Sequence, residues 1–161
     1  MVSAHPRSIT ISRHAYNVRR SHFTMPRILG LDIGERRIGL AISTPEGRLA
    51  VPLRILEREK EPAAIEAIAE VARAEDVTAL VVGYPLSLDG SAGHQARRVE
   101  AFARRLQKST GLPLELWDER LTSVQAERSI TGTRAHGPVD DIAAAIILQS
   151  YLDRQQSGAA P

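Results

Sequence analysis

The sequence predicts an α/β domain built on a mixed sheet. Two patterns point to it: three short apolar segments joined by tight turns, and after them β-branched runs alternating with stretches of helical periodicity. A long, strongly apolar helix closes the folded region. With 161 residues, 43% hydrophobic and 25% charged, the chain suits one globular domain able to bury a real core.

Segment 28–33 is a short apolar run that contains Asp32 and ends at Gly34, which reads as a strand. Segments 36–43 and 48–54 follow it across a tight Gly34-Glu35 turn and the turn Thr44-Pro45-Glu46-Gly47, predicting an antiparallel meander. In 62–75, Ile65, Ile68 and Val71 recur at helical intervals behind Pro62, a residue suited to a first helical turn. Segment 77–83 is mostly β-branched and apolar, as in a parallel strand buried on both faces. A loop over 85–93 then leads into a helix reaching Thr110, with Ser91 or a neighbour as its cap and Val99, Phe102, Ala103 and Leu106 facing the core. Segment 114–117 is a short strand running into Asp118-Glu119-Arg120. Thr122 followed by Gln125 is a capping-box pattern that starts a helix at Ser123. Residues 131–138 hold two glycines and a proline and read as a mobile loop, and 139–154 as the last helix.

Composition excludes several chemistries. The chain has no cysteine, which removes disulfides, thiolate catalysis and Cys-based zinc sites, so any metal must sit on carboxylates, histidines or backbone oxygens. No apolar run approaches the roughly 20 residues of a membrane span, and a cytoplasmic protein is expected. The formal charge of +2 is uneven. Residues 1–24 carry Arg7, Arg13, Arg19 and Arg20, with His5, His14 and His22 and no acid; the remainder holds 17 basic and 19 acidic residues. Bulk charge therefore gives little support for nucleic-acid binding, which must come from local patches. The expectation is a disordered basic extension over 1–24, a folded domain over 25–154 opening at Met25, and a flexible tail over 155–161. Residues 1–24 read as an extended start; their lack of acids resembles an organellar presequence, without the amphipathic stripe of one. The functional alternative is a basic arm that grips nucleic acid.

Three acidic positions carry the candidate chemistry. Asp32, at the end of an apolar strand, is costly to desolvate without compensation. It reads either as the start of the turn through Gly34 or as a metal ligand, with Gly34 letting a phosphate or a second strand approach. Asp118 and Glu119 suit a helix N-terminus electrostatically, as do Asp140 and Asp141. Yet Asp32 and the 118–119 pair both fall at the C-terminal ends of strands expected to be parallel, the edge where open α/β sheets bind ligands. Asp140 opens an apolar helix that must pack on the same sheet. Carboxylates meeting there suit hard divalent cations such as Mg²⁺ or Mn²⁺. Two such ions roughly 3.5–4 Å apart support phosphodiester hydrolysis.

A basic stripe accompanies the acids. Arg97, Arg104 and Lys108, flanked by Arg98 and Arg105, line one helix, either as phosphate contacts or as an ordinary solvated face. Gly90-Ser91 offers backbone N–H groups to a phosphate. Trp117 and Tyr84 have the chemistry to stack on bases, although their apolar neighbours favour core packing.

The motifs Ile28-Leu29-Gly30-Leu31-Asp32-Ile33-Gly34, Val81-Val82-Gly83-Tyr84-Pro85-Leu86, Asp89-Gly90-Ser91, Asp118-Glu119-Arg120-Leu121-Thr122-Ser123 and Val139-Asp140 stand in this order. Together they resemble the YqgF/RuvX family, known as Holliday-junction resolvase-like proteins and as pre-16S rRNA nucleases, over essentially Met25 to Asp153. The resemblance implies an RNase H-like fold with a five-stranded sheet in the order 3-2-1-4-5. It implies catalytic and metal-binding acids at Asp32, Glu119 and Asp140, with Asp118 and Asp141 as runners-up for the last two. It also implies divalent-metal hydrolysis in maturation of the 5′ end of 16S rRNA. Gly34, Arg97, Arg104, Arg120 and Arg134 are the candidate substrate-binding positions. Relatives usually carry several basic residues before the final Val-Asp, where this chain has Thr133-Arg134-Ala135-His136-Gly137-Pro138. Substrate grip there is expected to be weaker, or shared with His136.

Three functions compete at this level. One is an rRNA-processing ribonuclease acting on pre-16S rRNA, as a monomer or homodimer. Another is a DNA-junction nuclease with the same site, which needs a dimer to cut two strands symmetrically. The third is a non-catalytic nucleic-acid-binding assembly factor, against which the three acids argue. An actin-like phosphate loop around Asp32-x-Gly34 is rejected, because that fold needs two such domains.

Overall fold

Alternating apolar residues in three consecutive segments build an antiparallel meander: β1 (Arg27–Ile33), β2 (Arg37–Ser43) and β3 (Ala50–Glu57). The computed structural model describes residues 25–122, 128 and 139–158, and of 139–141 the backbone alone. After the meander come helix α1 (Glu61–Ala74), strand β4 (Val77–Tyr84), helix α2 (His94–Thr110), strand β5 (Leu114–Asp118), a 3₁₀ turn (Glu119–Leu121) and helix α3 (Val139–Ser157). β4 lies parallel to β1 and β5 parallel to β4, giving a mixed sheet in the order β3-β2-β1-β4-β5. This is the topology implied by the family resemblance.

Helices cover both faces. On one, α1 and α2 pack Ile68, Phe102 and Leu106 against Leu29, Leu31 and Leu80, all essentially without solvent contact. On the other, α3 sets Ala144, Leu148 and Tyr151 against Ala41, Val81 and Trp117. Burial on both sides is why β4 reads as a continuous apolar run and not as an alternation. Glycine lets α3 come close: a Cβ on Gly30 would stand 2.7 Å from Cβ of Leu148 and 3.2 Å from the Ala144 carbonyl. Further along α3, Gln149 bonds Ala50 at the start of β3. The helix therefore runs down the sheet, with its first turn toward the end where β1 and β4 finish.

Several boundaries differ from expectation for local reasons. β3 starts at Ala50, not at residue 48, because Leu49 belongs to the turn: its carbonyl accepts the Thr44 N–H and its own N–H donates to Thr44 Oγ1. It extends to Glu57 past a register shift at Pro52, a residue that an edge strand accommodates. The expected Ser91 cap of α2 is not formed. The N-cap is Gly93, while Ser91 turns back to the carboxylate of Asp89 through both its N–H (2.9 Å) and its hydroxyl (2.6 Å). Gly111, at φ 68°, ends α2 in the left-handed conformation that glycine favours. α3 continues to Ser157, beyond the expected 154. Residues 123–127, which hold the rest of the Thr122–Gln125 capping box, the 131–138 loop and the 1–24 extension lie outside the described residues. Among the described residues no helix is long and apolar enough to cross a membrane.

Candidate active site

Strand periodicity decides which side chains share a face. On β1, Leu29, Leu31 and Ile33 point into the α1–α2 core, so Gly30 and Asp32 face α3. On β4, Val81 and Gly83 face α3, and on β5 Trp117 does so, in register with Gly83. Asp32 is half-buried near the end of β1, opposite Gly39 of β2. Glu119 follows β5 directly in the 3₁₀ turn and is also half-buried. Its carboxylate lies over Gly83, where a Cβ would stand 2.7 Å from Oε1.

These placements bring Asp32 and Glu119 together although 86 residues separate them in the chain. Burial raises the proton affinity of Glu119 above the ordinary glutamate range, and the charge of Asp32 and then that of Asp118 push it the same way. An acid pair held in this state favours a positive charge between its members.

Asp118 has another role. Its Oδ1 caps the 3₁₀ turn by accepting the Arg120 N–H at 3.0 Å, and the carboxylate is gripped by the Arg120 guanidinium, with Nη2 to Oδ2 at 2.6 Å. The arginine holds Asp118 below the usual aspartate range. Arg120 Nη1 also reaches the carbonyls of Ser87 (3.5 Å) and Leu88 (3.4 Å), fastening the 85–93 loop to the turn that carries Glu119.

Gly34 has both backbone groups engaged, its N–H on the Arg37 carbonyl and its carbonyl on Arg58, and a Cβ there would stand 2.7 Å from the Arg37 oxygen. Its glycine thus lets β1 fold back into β2. The Gly90-Ser91 amides are not offered to a ligand as expected: Gly90 donates to Ser87 and Ser91 to Asp89. On exposed α2, Arg104 pairs with Glu100, Arg105 with Glu61 and Arg98 with Glu35, while Arg97 bonds the Ala92 carbonyl. Trp117 is core: it packs edge-on against Tyr151, 5.3 Å between centroids, and donates to Ser150. Tyr84 is half-buried and bonds Glu100.

Position 140 opens α3 on the helical stripe of Ala144, Ile147 and Tyr151, and position 141 on that of Ala145, Leu148 and Leu152. On the first stripe Ile147 stands over Gly83 and Tyr151 against Trp117, while Gly30 lies under Ala144 of the first stripe and Leu148 of the second. The side chains of Asp140 and Asp141, like Arg134 and His136, lie outside the described residues. Among the described residues no three potential metal ligands cluster, and the acid pair stands as two. Sequence reasoning missed Gly83 as the floor of the site; a lone glycine in the β-branched run of β4 was its only signal. It also missed the bracing role of Arg120.

A five-stranded 3-2-1-4-5 sheet flanked by helices places the chain among proteins of RNase H-like fold, with an acid pair at its strand ends. The chain belongs to the RuvX family: the model described as "RuvX: Holliday junction resolvase" matches residues 26–154. An Anaeromyxobacter (strain K) protein bearing the name "Putative pre-16S rRNA nuclease" is 46% identical over 134 residues, covering 80% of this chain and 98% of the relative. A protein of the same name from Moorella thermoacetica is 44% identical over 133 residues, covering 80% and 95%. Among solved structures, Thermus thermophilus RuvC in complex with a Holliday junction substrate superposes with a TM-score of 0.64 at 13% identity, over 84% of this chain and 98% of that one. At that identity the likeness speaks for the fold.

Proposed function

We propose that the protein is a cytoplasmic, divalent-metal-dependent ribonuclease that matures the 5′ end of pre-16S rRNA, with Asp32, Glu119 and Asp140 as its catalytic and metal-binding residues. The observation that carries this reading is the Asp32–Glu119 pair, half-buried on the α3 face and mutually repelling. The donor set fits a hard cation: carboxylate oxygens, no thiol in the chain, and a local excess of negative charge. Mg²⁺ or Mn²⁺ bound there supplies Lewis-acid activation of water and neutralises charge at the phosphate.

The chain's own residues set the stage for that chemistry. Gly83 leaves room for Glu119, and the Asp118–Arg120 fork fixes the turn that presents it. The commitment of Asp118 to Arg120 supports Glu119 as the ligand of the two. Asp140 completes the set, favoured over Asp141 because its stripe includes Ile147, which shares the Gly83 contact with Glu119. Exposed Arg97 and Arg104, and Arg134 ahead of α3, serve as phosphate contacts, weakened at Arg104 by its pairing with Glu100. Arg120 and Gly34 shape the substrate path through the loops they hold.

The pre-16S substrate rests on the names of relatives at 44–46% identity. A second reading, a nuclease for DNA four-way junctions, is favoured by the description of the matching family. It requires two sites related by a dimer axis. Single-stranded RNA, precursor rRNA and four-way DNA junctions compared at matched salt, with Mg²⁺, Mn²⁺ or EDTA, separate the readings. Metal-dependent cleavage of precursor rRNA is expected; exclusive junction cutting, or full activity in EDTA, overturns the proposal.

A further inference from the structure

We propose that Leu88, at the apex of the 85–93 loop, is a nucleobase contact that receives one unstacked base of single-stranded RNA beside the scissile phosphate. The inference rests on the ribonuclease reading above and extends it to how substrate is held.

Leu88 is 96% exposed, far more than any other large apolar side chain among the described residues. Exposure of this kind on a loose loop would mean little, but this loop is fastened. Ser87 donates its N–H to the Ser91 carbonyl, and Gly90 donates back to Ser87. Gly90 sits at φ +83°, a conformation that closes the turn and that other residues rarely adopt. Asp89 accepts from both the N–H and the hydroxyl of Ser91. Arg120 Nη1 donates to the carbonyls of Ser87 and Leu88, on either side of the Leu88 α-carbon, while its other nitrogens grip Asp118. With its backbone tied at these points, Leu88 has no local way to fold its side chain into the core.

The loop's position gives the exposed side chain a purpose. It begins at the end of β4, immediately after Gly83-Tyr84, and its brace is the neighbour of Glu119 in the chain. Leu88 therefore stands at the rim of the acid pair.

The chemistry around Leu88 selects its occupant. Its neighbours Ser87, Asp89, Gly90 and Ser91 are polar or bare, so the apolar surface is that of one side chain. A protein partner needs about 800 Å² from each side, far more than one leucine offers. The Asp89 carboxylate beside it is engaged by Ser91 and offers no cation to a phosphate. A nucleobase face is flat, apolar and of matching size, and becomes available when the strand is unpaired. An aliphatic contact of this kind discriminates poorly among bases, so it positions the strand without reading sequence.

The test uses the full chain in EDTA, where binding is read without cleavage, by fluorescence anisotropy on a labelled single-stranded RNA and on versions carrying one abasic nucleotide at successive positions. Leu88→Ala is expected to weaken binding of the intact strand about fivefold. Leu88→Met is expected to restore it, with thermal midpoints unchanged because the side chain is solvent-exposed. One abasic position should weaken wild type by the same factor and leave Leu88→Ala unaffected. Equal binding by wild type and Leu88→Ala overturns the proposal, as do abasic penalties that are the same in both proteins at every position. Loss of a dimer in Leu88→Ala by sedimentation also overturns it, assigning the residue to a second copy of the chain. If wild type cleaves no RNA with Mg²⁺ or Mn²⁺ yet the paired Leu88 and abasic effects appear, the ribonuclease reading falls and the base contact stands.

Discussion

The carboxylate of Glu119 rests on Gly83: a Cβ at position 83 would stand 2.7 Å from Oε1 of Glu119 and 2.6 Å from Cδ1 of Ile147. Both are the far ends of flexible side chains, which can swing aside. At Gly30 the corresponding obstacles are Cβ of Leu148 and the Ala144 carbonyl, which move only if α3 moves. The two glycines should therefore fail differently. Gly83→Ala is expected to cost less than about 1 kcal/mol of stability while strongly reducing nuclease activity, because it displaces the acid. Gly30→Ala is expected to cost about 2–3 kcal/mol. Urea unfolding and initial rates on the same preparations check the contrast, and equal stability losses would contradict it.

Burial and the Asp32 charge raise Glu119 above an ordinary glutamate. A carboxyl whose folded pKa exceeds its unfolded one stabilises the fold while protonated. That contribution fades as pH rises from the unfolded value through the folded one. Metal-free wild type should accordingly lose stability with rising pH across that window, relative to Glu119→Gln. At neutral pH in EDTA the variant should melt roughly 1–3 °C higher. Added Mg²⁺ or Mn²⁺ should raise the wild-type midpoint and leave the variant's nearly unchanged. Cleavage should fall on the order of 10³-fold in Glu119→Gln and in Asp32→Asn, with the fold retained. A Glu119→Gln protein that melts below wild type in EDTA would contradict the repulsion argument.

Asp118 titrates in the opposite sense. The Arg120 guanidinium and N–H hold it below the usual aspartate range. Its contribution is therefore present above the unfolded aspartate value and disappears as pH falls through the depressed folded one. Arg120→Gln should be less stable than wild type at neutral pH, and the gap should close in acid. Since Arg120 also fastens Ser87 and Leu88, activity should fall about tenfold, and Arg120→Lys should recover little of it because an ammonium cannot reproduce the fork. Thermal melts across pH, paired with kcat and KM on a model RNA, read both effects.

The order of elements was legible because each announced its own period: alternation and tight turns in β1 to β3, helical spacing in α1 and α2, a mostly apolar, β-branched run in β4. The acid pair was legible because carboxylates at the ends of apolar strands need compensation. What escaped depended on contacts distant in sequence or on competition within a loop. Ser91 looks like a helix cap by type, yet Asp89, two residues away, captures its N–H and hydroxyl. Asp118 and Glu119 are equivalent by spacing; in the fold the Arg120 fork takes Asp118, while Glu119 lies over Gly83. Gly83 becomes meaningful once Ile147 and Glu119 are known to converge on it. The arginines of α2 form a bare stripe in sequence but meet Glu61, Glu100 and Glu35 in the fold.

Gln149 offers a test of how α3 is anchored independently of the acids near its start. The amide is 2% exposed. Its Oε1 accepts the Ala50 N–H at 2.9 Å, and its Nε2 donates to the Arg48 carbonyl at 3.0 Å and to Asp153 at 2.8 Å. It thus satisfies backbone groups where the edge strand β3 begins, 99 residues from Ala50 along the chain. Gln149→Leu keeps the volume but strands a buried N–H and a carbonyl, and should cost about 2–4 kcal/mol. The urea midpoint should fall with the slope unchanged, since the same surface is exposed on unfolding. Below the transition, cleavage should persist, because Gln149 bonds Arg48, Ala50 and Asp153 and lies two to three helical turns from the first turn of α3. A loss of activity at full folding would mean that the anchor sets the position of the whole helix, and with it of Asp140.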